Sequence, residues 1–194
     1  MAITLNGGTG VITGVSVGGL PDGVVDSGTL ATNSVDSAEL IDGSVDASHL
    51  ASGVGGGFEV GARAYSAVNQ TFSNATRTIV ELEAESYDLN SDFNTTTDRY
   101  VVPTTGEYLV IGGCKLNALT SGATYQTELQ INGSLMTYNV AHTALTANKN
   151  NIVSDIYQLS ATDYVQLSIY QTTGSDKTSG SGEGNVFLAV HRLS

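Results

Sequence analysis

The chain has 194 residues, 40% hydrophobic and only 13% charged, with 23 Gly, 2 Pro and a net charge of −12. Polarity carried by Ser, Thr, Asn and Gly rather than by Lys and Glu argues against a helical bundle and favours pleated structure. The acidic balance and the dispersed 7 basic residues disfavour nucleic acid and anionic membranes as partners. The single cysteine, Cys114, leaves neither an intrachain disulfide nor a cysteine-rich zinc site.

Residues 1–20 come first. Met1 to Gly8 lack a basic n-region and a continuous apolar core, so no secretion signal is expected. Val11-Ile12-Thr13-Gly14-Val15-Ser16-Val17 predicts a strand. We read 1–20 as an attachment tip, with a frayed terminus as the alternative.

Residues 21–57 form an arm with a ten-residue repeat. Val15, Val25, Val35 and Val45 stand ten apart, and Leu20, Leu30, Leu40 and Leu50 follow each by five. Asp26, Asp36 and Asp46 directly follow three of the valines. One or two apolar anchors per ten residues do not offset about 1–2 kcal/mol of ordering entropy per residue within one chain. The arm therefore needs company. Either three copies share a Val/Leu seam, or each arm lies along a partner protein. A solvated low-complexity linker is the alternative, but such a linker needs no apolar register.

Gly55-Gly56-Gly57 reads as a hinge. All the aromatic and all the basic residues lie beyond it, in a head spanning 58–194. Strand signals recur there at short spacing. Thr78 to Glu85 alternates apolar with acidic residues, as a strand with one wet face does. Arg99 to Pro103 and Glu107 to Ile111 flank a Thr-Thr-Gly turn. Tyr125 to Ile131 and Leu135 to Tyr138 flank Asn132-Gly133, a strong hairpin signal. Asn151 to Leu159, Tyr164 to Tyr170 and Asn185 to Leu193 complete about eight strands, the pattern of a sandwich or jelly roll. Cys114, at the end of the apolar run from Tyr108 to Cys114, reads as a small buried hydrophobe.

Tyr87 and Phe93, followed by Tyr100-Val101-Val102-Pro103-Thr104-Thr105-Gly106-Glu107-Tyr108, resemble the central motif of C1q/TNF-like domains. Ala161-Thr162-Asp163-Tyr164-Val165-Gln166-Leu167 resembles a second strand of that family, with Thr162 where the family has Gly, and Gly184 to Val190 resembles its last strand. The resemblance implies an all-β, antiparallel jelly-roll head that forms a homotrimer, with Phe93, Tyr100, Pro103, Gly106, Tyr108 and Phe187 as its motif core. In physical terms Pro103 ends strand pairing, Gly106 supplies a turn and Tyr108 enters the core. The arm, with repeats such as Asp42-Gly43-Ser44-Val45-Asp46-Ala47-Ser48-His49-Leu50-Ala51, resembles N-terminal regions of fibre proteins of tailed bacteriophages. That implies a virion location, with the arm bound to capsid or tail proteins and the head displayed toward a host glycan or protein.

No catalytic constellation emerges. His49, His142 and His191 are scattered without zinc spacing. His191 reads as an edge or interface histidine. Glu81, Glu83 and Glu85, with Asp88 and Asp92 nearby, read as a solvated acidic face, with a weak calcium site as the alternative; no other cofactor is expected. Tyr125, Tyr138, Tyr157 and Tyr170 read as core or trimer contacts, with a sugar-stacking site as the alternative. The expectation is a non-enzymatic trimeric fibre or capsid-decoration protein, without membrane insertion. The alternative is a secreted bacterial C1q-like binding or adhesion module.

Overall fold

A computed structural model describes residues 4–6, 11–13 and 60–193. The chain forms two units, Met1–Gly55 and Gly56–Ser194. In the first, β1 (Thr4–Asn6) and β2 (Val11–Thr13) pair antiparallel, with Leu5 opposite Ile12. The proposed seam residues Val15, Leu20, Val25, Leu30, Val35, Leu40, Val45 and Leu50, and His49, lie outside the described residues.

In the second unit, the described residues contain strands and no helix. The strands are β3 (Gly61–Tyr65), β4 (Thr71–Phe72), β5 (Arg77–Ile79), β6 (Ala84–Asp88), β7 (Phe93–Asn94), β8 (Arg99–Val101) and β9 (Gly106–Leu119). They continue with β10 (Thr124–Ile131), β11 (Ser134–His142), β12 (Ala147–Leu159), β13 (Tyr164–Gln171), β14 (Lys177–Thr178) and β15 (Val186–Arg192). One sheet runs β12-β9-β15-β3-β6. The other runs β11-β10-β13-β8-β7, with β5 also paired to β13. Every pairing is antiparallel.

The two-residue period explains the core. On β9, Tyr108, Val110, Cys114 and Leu116 are fully buried, and Val186, Leu188 and Val190 do the same on β15. Leu129 on β10 and Val165, Leu167 and Ile169 on β13 face them from the second sheet. Burying each such side chain stabilises the fold by roughly 1.5–3 kcal/mol. Burial also pushes the Cys114 thiol pKa well up, which keeps it protonated and unreactive.

Asn132-Gly133 makes the expected hairpin between β10 and β11. Both residues take left-handed φ, 52° and 75°, as a type I′ turn requires. At the free side of the sandwich, the edges of β11 and β12 are tied by side chains. Asn139 Nδ2 donates to the Ile152 carbonyl at 2.8 Å, and Asn151 Nδ2 donates to the Asn139 carbonyl at 2.7 Å. Two unpaired edges are thereby shielded from pairing with other chains.

The strand expected over 78–85 is instead divided. Residues 80–83 cross from the β5 side to β6, which belongs to the other sheet. The alternation survives, since Val80 and Leu82 are buried and Glu81 and Glu83 exposed. Side chains replace the missing ladder: Leu82 N–H donates to Asp98 Oδ1 at 2.7 Å and Glu81 N–H to Gln70 Oε1 at 2.9 Å. Burial raises the Asp98 carboxyl pKa although the Leu82 N–H opposes it.

Gly106 does not serve as a turn residue. It opens β9, buried and paired with Leu159, while Pro103 to Thr105 form the exposed bend before it. Thr162 is the strained turn position. Its φ is 77°, a region that penalises β-branched residues, and its N–H is held by the Val102 carbonyl at 2.8 Å. Its side chain is exposed. Thr162→Gly should therefore stabilise the protein by about 0.5–1 kcal/mol, strain relief outweighing the added freedom of the unfolded chain. A rise in Tm checks this; an unchanged or lower Tm shows that the turn is unstrained.

Candidate functional site

The outer face of the β12-β9-β15-β3-β6 sheet carries apolar side chains on adjoining strands. Its rungs follow from the register. Ile156, Leu109, His191 and Gly61 form one. Ser154, Ile111, Ala189, Arg63 and Tyr87 form the next. Ile152, Gly113, Phe187, Tyr65 and Ala84 form the third. Ile152 and Ile156 are 48% and 56% exposed, and Leu109, Ile111, Phe187 and Tyr65 are half-buried. The face therefore has an aliphatic half on β12 and β9 and an aromatic half on β15, β3 and β6.

The aromatic half is built in detail. Gly113 leaves room for the Phe187 ring, because a Cβ there would stand 2.6 Å from the Phe187 Cε1. The Arg63 guanidinium lies over the same ring at 4.6 Å, a favourable cation–π distance. Arg63 is held in place by the Ser86 hydroxyl at 2.9 Å, the Glu183 carbonyl at 2.7 Å and the Glu183 carboxylate at 3.5 Å. Tyr87 Oη and His191 Nε2 share a short hydrogen bond. β15 is an interior strand, so His191 is not at a sheet edge. Phe187, expected in the motif core, lies on this outer face because its neighbours Val186 and Leu188 take the inward positions. Phe93, Tyr100 and Tyr108 are buried, Pro103 is exposed, and the Tyr108 hydroxyl donates to the Thr104 carbonyl at 2.6 Å.

Burial lowers the His191 pKa below its usual 6.5. A depressed folded-state value means the unfolded chain binds the proton first as pH falls, so stability drops through and below the unfolded histidine range. Unfolding at pH 5.5 and 7.5, compared between the native protein and His191→Gln, should show a loss on acidification that the variant lacks. Equal pH dependence in the two rejects this role.

The other expected positions are dispersed. Tyr125 is buried and donates to the carbonyls of Cys114 at 3.1 Å and Lys149 at 2.7 Å. Tyr138 is 53% exposed on β11, while Tyr157 and Tyr170 are half-buried on β12 and β13. These four do not form one stacking platform. Glu81 and Glu83 lie in the crossover and Glu85 on β6. Glu83 Oε2 accepts the Ala67 N–H at 3.0 Å, and the Asp88 oxygens accept the N–H groups of Asp92 and Phe93. Among the described residues no three His, Cys, Asp or Glu side chains converge as a metal would require. A hollow of about 460 Å³ is lined by Ser91, Asp92, Phe93, Asn94, Val101 and Pro103, among others. Its polar side chains are exposed or half-buried.

A buried polar network on the outer face of the second sheet had no sequence signal. Glu128 is fully buried on β10. Arg77 meets it with Nε at 2.6 Å and Nη2 at 3.2 Å, and the Ser168 hydroxyl donates to it at 2.7 Å. Gln130 Nε2 donates in turn to Ser168 Oγ at 2.7 Å.

No protein-family model matches the chain, and no curated protein matches it in sequence. Solved structures do match in fold. The Eiger TNF of S. frugiperda superposes with a TM-score of 0.54 at 12% identity, over 70% of this chain and 92% of that one. Murine APRIL gives 0.54 at 13%, over 69% and 98%. The globular domain of zebrafish complement 1qA gives 0.49 at 11%, over 70% and 98%. The head is an antiparallel C1q/TNF-like jelly roll.

Proposed function

We propose that the chain is a homotrimeric, non-enzymatic attachment protein of a virion, a fibre or capsid-decoration subunit of a tailed phage. Its repeat arm docks on capsid or tail proteins and its head faces outward to a host glycan or protein. The observation that supports this most is the outer face of the β12-β9-β15-β3-β6 sheet, where the aliphatic side chains of β12 and β9 adjoin the aromatic side chains of β15, β3 and β6. Threefold association would place the aliphatic half of one copy against the aromatic half of the next, a head-to-tail contact that closes as a ring. The Val/Leu period of the arm calls for chain association independently. Together they favour an assembled fibre over a monomeric binding module.

Light scattering on the full chain tests the assembly. A mass of about 60 kDa, three times the 20.0 kDa chain, is expected; a 20.0 kDa species at micromolar concentration overturns it. Labelling intact particles on the head separates capsid from tail attachment, and absence from particles favours a secreted bacterial module instead.

A further inference from the structure

Four polar side chains stand where the two-residue period calls for core residues. On β12, Asn151 and Asp155 lie opposite Cys114 and Val110, both fully buried. On β11, Thr137 and Asn139 lie opposite Leu129 and Thr127, also fully buried. All four therefore occupy inward positions. β12 ends one sheet and β11 ends the other, so these positions line one open side of the sandwich.

The four pair across that side. Asn139 Nδ2 donates to the Ile152 carbonyl, and Asn151 Nδ2 donates to the Asn139 carbonyl, which makes a reciprocal clasp. Thr137 Oγ1 donates to Asp155 Oδ2 at 3.0 Å, and the other Asp155 oxygen accepts the Ile156 N–H at 2.9 Å. The backbone groups taken up in this way are the Ile152 and Asn139 carbonyls and the Ile156 N–H. An added strand would need these same groups for its ladder.

Core stability does not require this arrangement. Val153, between Asn151 and Asp155, is 4% exposed, and apolar side chains at its two neighbours on this face would extend the same core. Strand addition supplies the missing reason. β12 runs for 13 residues and β11 for 9, and β12 also carries the exposed Ile152 and Ile156. Long apolar edges pair readily with other chains, and an inward-pointing charge such as Asp155 opposes that pairing.

We infer that the Asn139–Asn151 clasp, with the Thr137–Asp155 pair beside it, prevents copies of this chain from adding to one another strand to strand through β11 and β12. The partner excluded is a second copy, because every copy carries both edges. Such addition has no rule that closes it and gives open-ended assemblies. With the edges occupied, association is confined to the outer face of the first sheet. That confinement rests on the trimeric reading given above; the blocking of strand addition does not.

The test is Asn139→Ala/Asn151→Ala in the full chain, which opens the clasp without adding bulk. At about 100 μM, light scattering should report at least about twice the native mass, rising with concentration, while the native mass does not rise. Hydrogen exchange on the larger species should show new protection of amides in residues 137–141 and 150–156, and circular dichroism should keep its sheet signal. If the double variant does not fold, Asn139→Ala alone, at an exposed residue, should show the same growth. A folded variant of native mass overturns the inference. Growth without new protection in those two segments also overturns it, because the copies then meet elsewhere. The native mass on the same samples keeps the two readings apart. A native monomer whose variant grows through these edges overturns only the trimer, and a native trimer whose variant keeps its mass overturns only the clasp.

Discussion

Arg77→Met should lower the unfolding free energy by about 3 kcal/mol, a drop of roughly 10 °C in Tm for a head of this size. The cause is not the loss of an attraction but the charge left behind. Glu128 is fully buried and its oxygens are satisfied by Arg77 and Ser168. Without the guanidinium its carboxylate keeps one hydroxyl donor and loses its counter-charge. Arg77 is itself 46% exposed, so water enters the vacated space and holds the cost below the upper end for buried pairs. Glu128→Gln keeps the shape and removes the charge, and should cost about 1–2 kcal/mol. The double variant Arg77→Met/Glu128→Gln should lie within about 1 kcal/mol of Glu128→Gln alone, because no buried charge remains. Urea denaturation of the four proteins measures the cycle. Additive losses would show that the two residues do not act as a pair. The arrangement matters to the fold because it ties β5, β10 and β13 together across one face of the sheet.

The head's strands were legible where one physical rule dominates. Asn132-Gly133 has one good conformational solution, and the structure adopts it. The runs from Tyr108 to Cys114 and from Tyr164 to Tyr170 alternate or remain apolar as buried strands do. The stretch 78–85 misled because alternation records which side chains face inward, not whether the backbone stays in one sheet. Val80 and Leu82 point into the core on either reading, and only Gln70 and Asp98, distant in sequence, reveal that side chains have replaced the ladder. β3 was overlooked because Gly61, Ala62 and Ala64 carry no bulk, although β15 needs small partners on that side. Phe187 is placed in the motif core by the family resemblance; its rung with Gly113 and Tyr65 fixes the opposite face. The pairing of Arg77 with Glu128 depends on contacts between strands far apart in sequence, which no local pattern encodes.

Ile156→Glu should convert the proposed trimer to a folded monomer. In the isolated head Ile156 is 56% exposed on the outer face, so a carboxylate there costs the monomer little and the Tm of the dissociated chain should stay within a few degrees of the native value. Across an association surface the same change is severe. Each contact forfeits about 1.5–3 kcal/mol of apolar burial and must also desolvate a charge beside Leu109. The dissociation constant should rise by about three orders of magnitude, since each 1.4 kcal/mol is tenfold. Light scattering should then report about 20.0 kDa in place of three times that mass. Ser154→Glu, at the aliphatic half's one polar position on the next rung, should act in the same direction but less strongly, because no apolar burial is forfeited. Tyr138→Glu, on β11 of the other sheet, should leave the mass unchanged. If Ile156→Glu remains trimeric while Tyr138→Glu dissociates, association runs through the second sheet. If both remain trimeric, the arm alone holds the copies together, and the outer face of the first sheet has another use.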